Sequence, residues 1–284
     1  MTPRSYLFVP ATSGRKIEKA YGSAADAIII DLEDAVAVSE KPAARAALAT
    51  LVPAVPARRT WIRINAVETD FCFADLQACC RGGIAGVLLP KLESAEQVRM
   101  VDWVLGNLEK AQGLPVRGIE LAGIVETAVG LQQVGDIAAA SPRLRRLMFG
   151  AVDLAADLGI DTSDDVGATG HARFAIACAS RAAGLEPPVD TAYIDIPNLE
   201  GLRATTMRAR ALGYTGKACI HPAQIPVVNE VFTPSDTEVE WARQVVSAFE
   251  TAQRNGLAAI KLHGQMIDYP VVEKARLLLA RVPA

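Results

Sequence analysis

Eight residues close otherwise apolar runs along this 284-residue chain: Glu33, Asp34, Arg63, Asn65, Lys91, Glu126, Asp153 and His221. Seven of the eight carry or can carry charge, so polar chemistry gathers where buried segments surface. Glu126 and Asp153, from successive runs, suit a hard divalent cation. Mg²⁺ takes one or two protein carboxylates and leaves its other octahedral positions to water and substrate oxygens. Mn²⁺ is the alternative ion. The three histidines show no HxH or HExxH spacing and the cysteines no CxxC, which argues against zinc. There is no GxSxG elbow, and "GYTGKA" lacks the GxxxxGK[ST] spacing of a phosphate loop. Lys91 is placed as a Schiff-base lysine would be, but Glu33, Asp34 and Glu126 should hold it protonated and poorly nucleophilic.

The same residues admit structural readings. Glu126 and Asp153 could be first-turn acids that favour the start of a helix. Arg63 and Lys91 could neutralise structural carboxylates. Asp31 is expected to face the barrel interior or a neighbouring strand, and His221, before Pro222, to be a hydrogen-bonded structural residue. His171 and His263 receive no role.

The elements that must position these residues form a regular beat. Strand candidates are "SYLFVP", "AIIIDLE", "TWIRIN", "GVLLPK", "LAGIVET", "RLMFGAVD", "AYIDI" and "KACIHP", with helical patterns between them. Ser94 with Gln97, and Ser235 with Glu238, make capping-box patterns at two helix starts. In the later helix Val239, Ala242, Val246 and Phe249 form one apolar stripe. Eight strands that are nearly continuous apolar runs predict a (β/α)8 TIM barrel, whose chemistry sits at the C-terminal ends of its strands. "VPATSGRK" carries no GxGxxG, which weakens a doubly wound alternative. The barrel is expected over residues 1–256. Residues 257–284 are expected to be an appended C-terminal loop plus an amphipathic helix.

Composition sets the class. The chain is 51% hydrophobic with a formal charge of −3, and shows no basic footprint for nucleic acid or a membrane surface. Five cysteines without paired spacing fit a reduced cytoplasmic protein, and no apolar run reaches the length of a membrane span. The residues alone reach a barrel enzyme that uses Mg²⁺ on an anionic, oxygen-rich substrate.

From "RSYLFVPA" through "IIIDLEDAV", "RINA", "LPK", "GIVETAVG", "LMFGAVDLAADLG" and "ALGYTGKACIHPAQIPVVNEVFTPS" to "GQMIDYP", the chain resembles citrate lyase beta-subunit-like proteins of the HpcH/HpaI aldolase group. The resemblance covers almost the whole chain. It implies a trimeric barrel enzyme that splits citryl-, malyl- or citramalyl-coenzyme A type thioesters into a 2-oxo acid and acetyl-coenzyme A. It implies Glu126 and Asp153 as metal ligands and Arg63 on the substrate. It also implies that residues 257–284 form a C-terminal lid and helix packing on a neighbouring subunit, where Asp268, in "MIDYP", would reach over that subunit's site as general acid or base. Glu33 and Asp34 are expected in the catalytic set, orienting the ligands and balancing charge with Lys91. Lys91 and Glu126 are expected to line the substrate, and Arg15 and Lys19 to face a coenzyme A phosphate. The chain departs from its relatives at "PATSGRKIEKA", where a Gly-Asn-Arg-like turn is common, and at Asn198, where an acid is common. Two rivals remain: a malyl-coenzyme A type thioesterase on the same scaffold, and a subunit that needs an acyl-carrier partner.

Overall fold

The computed structural model describes residues 2–56, 58–161 and 165–282. Pro3–Asn229 form one compact unit, and the chain from Glu230 onward forms a second. The first unit alternates strands and helices. The order is β1 (Ser5–Pro10), α1 (Gly14–Tyr21), β2 (Ala27–Asp31), α2 (Lys41–Leu51), β3 (Arg59–Arg63), α3 (Cys72–Cys79), β4 (Gly86–Leu89) and α4 (Ala95–Ala111). It continues with β5 (Glu120–Val125), α5 (Ala128–Gln132), α6 (Val134–Ala138), β6 (Leu144–Phe149), α7 (Ala151–Leu158) and α8 (Asp165–Ala182). β7 (Val189–Asp190), α9 (Leu199–Ala211) and β8 (Gly216–Cys219) follow, and α10 (Ile225–Phe232) begins in this unit and ends in the next.

The eight strands are parallel and close into a barrel in chain order, β1 pairing with β8. Every strand gives the interior at least one residue of a single buried cluster: Tyr6, Ile29, Trp61, Leu88, Ala122, Met148, Val189 and Ala218, among others. Residues of the opposite parity, such as Ile28, Ile30, Ile62, Val87 and Leu89, are equally buried. Both faces of the sheet are covered, which is why the strands read as unbroken apolar runs.

Two expectations about elements change. β6 stops at Phe149, and after Gly150 the chain turns straight into α7, so Asp153 lies in a helix's first turn and not at a strand end. An acid there meets the positive end of the helix dipole. β7 is only Val189–Asp190, and "AYIDI" is irregular, with Ile194 exposed. Its alternation mimics a strand, but the segment lies between Pro188 and Pro197, and proline donates no ladder hydrogen bond.

The second unit holds α11 (Asp236–Arg254), a hairpin of β9 (Ile260–Leu262) and β10 (Gln265–Ile267), and α12 (Tyr269–Leu279). It thus takes in α11 as well as the chain beyond residue 257. Both expected capping boxes form, at Ser94 and at Ser235. Each is worth about 1 kcal/mol of helix stability. The buried stripe of α11 is Val239, Ala242, Val245, Phe249 and Ala252; Val246, expected in it, is only partly buried. Phe249 meets Tyr269 edge to face at 5.1 Å. His263 and Gly264, both with positive φ, make the two-residue turn that a tight hairpin needs. Among the described residues no helix is long and apolar enough to cross a membrane.

Candidate active site

The acidic stretch after β2 is held from both sides. Asp31, the last residue of β2, accepts hydrogen bonds from Glu33 N (2.9 Å) and Ala35 N (3.2 Å), which fold the following loop over the strand end. The same carboxylate takes Arg63 Nη2 at 2.6 Å and Nε at 2.8 Å. Asp31 and Arg63 are register partners on β2 and β3, so the sheet itself aligns the pair. Asp31 therefore faces a neighbouring strand, as one of the sequence readings expected.

Behind the loop sits buried Lys41, whose Nζ donates to Leu32 O (3.0 Å), Glu33 O (2.8 Å) and Asn65 Oδ1 (2.5 Å). Asn65 in turn donates to Asp75 through Nδ2 (2.6 Å) and N (3.0 Å), and Arg45 Nε donates to Asp75 at 2.6 Å. This chain braces the loop from below.

Glu33 lies between two cations. Its Oε1 takes Lys91 Nζ at 2.8 Å, and its Oε2 meets Arg63 Nη1 at 2.9 Å as an ion pair without hydrogen-bond alignment. Exposed Asp34 stands farther off, 3.4 Å from Arg63 and 3.9 Å from Lys91. The guanidinium also stacks on Phe8, 5.3 Å from the ring centre. Burial works against Arg63's charge, but Asp31 foremost, with Glu33 and Asp34, outweighs it and holds its pKa above the usual value. The hydrogen bond to Glu33 likewise raises the pKa of Lys91, which remains an ammonium and a poor nucleophile. Burial pushes Glu33 up, against the pull of Arg63 and Lys91.

Glu126 follows β5 and is only 3% exposed. Its Oε1 accepts the backbone N–H of Lys91 at 2.7 Å. Gly150, at the turn from β6 to α7, leaves the carboxylate its space: a Cβ there would come within 2.5 Å of Glu126 Cβ and Oε2. Burial pushes the Glu126 pKa up to about 8; the Lys91 N–H opposes this, while the fields of Asp153 and Glu33 add to it. Asp153 is half-buried on α7 and close enough for that repulsion.

The rim thus sets five carboxylates, Asp31, Glu33, Asp34, Glu126 and Asp153, against Arg63, Lys91 and the underlying Lys41. Among the described residues no group of three or more His, Cys, Asp or Glu side chains is arranged to hold a metal. The donor set that fits is the pair Glu126 and Asp153, hard oxygen ligands whose repulsion a cation would relieve. Mg²⁺, which keeps most of its shell as water and substrate oxygen, suits such a pair.

Comparison with known proteins shows the family. The HpcH/HpaI aldolase/citrate lyase family model matches residues 4–222. The chain belongs to the HpcH/HpaI aldolase/citrate lyase family. Aldolases and citrate lyases both work on carbon–carbon bonds, and this family member is an enzyme of that lyase class. It is 34% identical to citrate lyase subunit beta of Haemophilus influenzae, over 98% of this chain and 96% of that one. It is 38% identical to (3S)-malyl-CoA thioesterase of Cereibacter sphaeroides, over 99% and 95%. Among solved structures it matches protein CitE from Mycobacterium tuberculosis in complex with magnesium, acetoacetate and coenzyme A. That match has a TM-score of 0.80 and 38% identity, and covers 98% and 97% of the two chains.

The other expected residues of this family member lie on α1, just after β8 and in the second unit. Arg15 and Lys19 lie one turn apart on α1, just after β1, both exposed and making no hydrogen bond or ion pair among the described residues. Asp268 lies in the second unit, where it caps α12 by accepting Val271 N at 3.4 Å. His221 is structural in the way expected: its Nδ1 accepts Ala223 N at 3.2 Å, opening a short helical turn. Asn198 caps α9 through Gly201 N at 2.8 Å. The sequence reading missed Lys41, Asp75 and Gly150. Only Gly150, a glycine between an apolar run and a helical pattern, left a local signal.

Proposed function

We propose that the chain catalyses reversible, Mg²⁺-dependent cleavage of a 3-hydroxyacyl-coenzyme A thioester of the citryl, malyl or citramalyl type, yielding a 2-oxo acid and acetyl-coenzyme A. The observation that carries this reading is buried Glu126 beside Asp153 on a rim where carboxylates outnumber cations. These two residues would hold Mg²⁺. When bound, the ion supplies Lewis acidity to the oxo-acid half of the substrate.

The chain's own groups do the rest. In the condensing direction Asp268, carried by a neighbouring subunit of a trimer, takes a proton from the acetyl methyl group. The C–C bond forms as the enolate carbon adds to the ketone; the resulting alkoxide takes a proton from water, and Asp268 returns its proton to the hydroxide so formed. Cleavage reverses each step. Arg63 offsets charge on the thioester oxygen. Its Nη1 lies between Glu33 Oε2 at 2.9 Å and exposed Asp34 at 3.4 Å, the contact a substrate oxygen would displace being the longer one to Asp34. Glu33, Asp34 and Lys91 keep that guanidinium and Glu126 in place. Arg15 and Lys19, two exposed cations without partners among the described residues, suit a coenzyme A phosphate. The reduced cytoplasm is where such thioesters would be met.

The thioesterase of Cereibacter sphaeroides favours a second reading, hydrolysis at the same rim. One experiment separates them. The purified chain is incubated with malyl-, citramalyl- and citryl-coenzyme A, with Mg²⁺ or EDTA. Free 2-oxo acid that disappears with EDTA supports the lyase, and free hydroxy acid supports the thioesterase. No turnover until an acyl-carrier protein is added would point to a dependent subunit. Glu126→Gln and Asp153→Asn should each abolish the Mg²⁺-dependent product; undiminished turnover in either removes the metal assignment.

A further inference from the structure

Lys91 adopts a conformation that lysine rarely takes. Its φ is 47°, in the left-handed region where a side chain crowds its own backbone. Such strain persists only where the surroundings over-determine it. Leu92 N donates to Ile124 O at 3.1 Å and ties the far side of the turn to β5. Gly123 on β5 admits the turn, because a Cβ there would lie 2.2 Å from Leu92 Cδ2. The result of the twist is specific: Lys91 N–H reaches Glu126 Oε1 at 2.7 Å while Nζ reaches Glu33 Oε1 at 2.8 Å. One residue thus ties a carboxylate that follows β5 to another on the loop after β2.

We propose that Lys91 is a positioning residue whose left-handed backbone, rather than its ammonium, sets Glu126 for the metal; this rests on the reading of Glu126 as a Mg²⁺ ligand. With φ negative, the N–H would turn away from Oε1 and the buried carboxylate would lose this backbone anchor. The ammonium serves a separate end, balancing Glu33. Lys91 is therefore replaceable by a residue that tolerates the twist, and not by one that resists it.

The test uses the full chain and Mn²⁺ as probe, with dissociation constants read from the electron paramagnetic resonance signal of free ion. Wild type, Glu126→Gln, Lys91→Gly, Lys91→Ala and Lys91→Val are compared, and circular dichroism melts check that each is folded. The three Lys91 variants all lack the ammonium and differ only in how readily position 91 turns left-handed. Lys91→Gly should bind Mn²⁺ at least as tightly as wild type, because a nearby cation is gone and the twist is free. Lys91→Val should bind about tenfold more weakly than Lys91→Gly, with Lys91→Ala between. Equal affinity across the three overturns the proposal. Should Lys91→Val not fold, the Gly and Ala variants carry the comparison, and equality there overturns it too. A wild type without Mn²⁺ binding, or Glu126→Gln binding like wild type, overturns the metal reading and this inference with it.

Discussion

Asp31 grips Arg63 with both carboxylate oxygens, at 2.6 and 2.8 Å, across adjacent strands of the barrel. The same two oxygens fold the Leu32–Ala35 loop, so one side chain sets both the arginine and the acids around it. Asp31→Asn removes the charge that this buried guanidinium needs while keeping the shape. Breaking a buried pair is costly, and Glu33 compensates only in part, so about 3 kcal/mol of stability should be lost. Arg63→Lys keeps the charge but loses the forked contact, and should cost less stability than Asp31→Asn. Urea unfolding of both variants checks this; an Asp31→Asn protein as stable as wild type would show that the pair is not what holds the loop.

Gly150 lets Glu126 sit where it does. In Gly150→Ala the new methyl would fall 2.5 Å from Glu126 Oε2, at a backbone conformation (φ −109°, ψ 83°) that stays outside the left-handed region. The effect is therefore steric and local. Displaced ligands and their supports typically lose about 10–100-fold in metal affinity or activity. Gly86→Ala serves as the control, since its methyl would instead strike Trp61 inside the barrel at 2.3 Å. Both should lose about 1–3 kcal/mol from overpacking, but only Gly150→Ala should lose Mg²⁺ affinity by calorimetry.

How much of this was legible depended on whether the cause was local. Glu33, Arg63, Lys91 and Glu126 each end an apolar run, and a parallel barrel carries such residues to one rim. Their encounter follows from the strand count alone. Asp153 was placed on the wrong element because "LMFGAV" stays apolar through a glycine that is in fact the turn. "AYIDI" alternated like a strand while tertiary pairing had already ended at Asp190. Lys41 had no signal at all. A lysine at the start of a helix reads as exposed, and only the fold brings Leu32 O, Glu33 O and Asn65 to its ammonium. The twist at Lys91 is equally silent, since its cause lies on β5.

Away from the rim, Glu109 should make the barrel sensitive to acid. Fully buried on α4, it accepts Arg143 Nη1 and Nη2 at 2.7 and 2.8 Å, and the N–H groups of Ile119 and Arg117 at 2.8 Å each. Burial alone would raise its pKa, but Arg143 and the two N–H groups outweigh that and hold it below the usual carboxylate range. A carboxylate lowered on folding adds stability above its unfolded pKa and loses it as pH falls through the folded one. At pH 7 Glu109→Gln should thus be about 2–3 kcal/mol less stable than wild type. Below roughly pH 4 wild type should lose that advantage and the two curves converge. Urea midpoints from pH 3 to 7 measure it; a gap that does not narrow in acid would contradict the assignment.

Asp268 poses the sharpest choice between structure and chemistry, because its observed contact is a helix cap. Asparagine caps as well as aspartate does, whereas alanine does not. If the cap were its whole role, Asp268→Asn would be silent and Asp268→Ala would cost about 1 kcal/mol with activity tracking the folded fraction. A proton-exchanging Asp268 gives the opposite pattern. Asp268→Asn should melt like wild type yet lose about 10²–10⁴-fold in kcat, the range that removal of a general acid or base produces. Exchange of acetyl-coenzyme A methyl protons with deuterated solvent should vanish in both variants, because that step needs the carboxylate and no fold-level change restores it. Exchange at the wild-type rate in Asp268→Asn would move the proton transfer to another group.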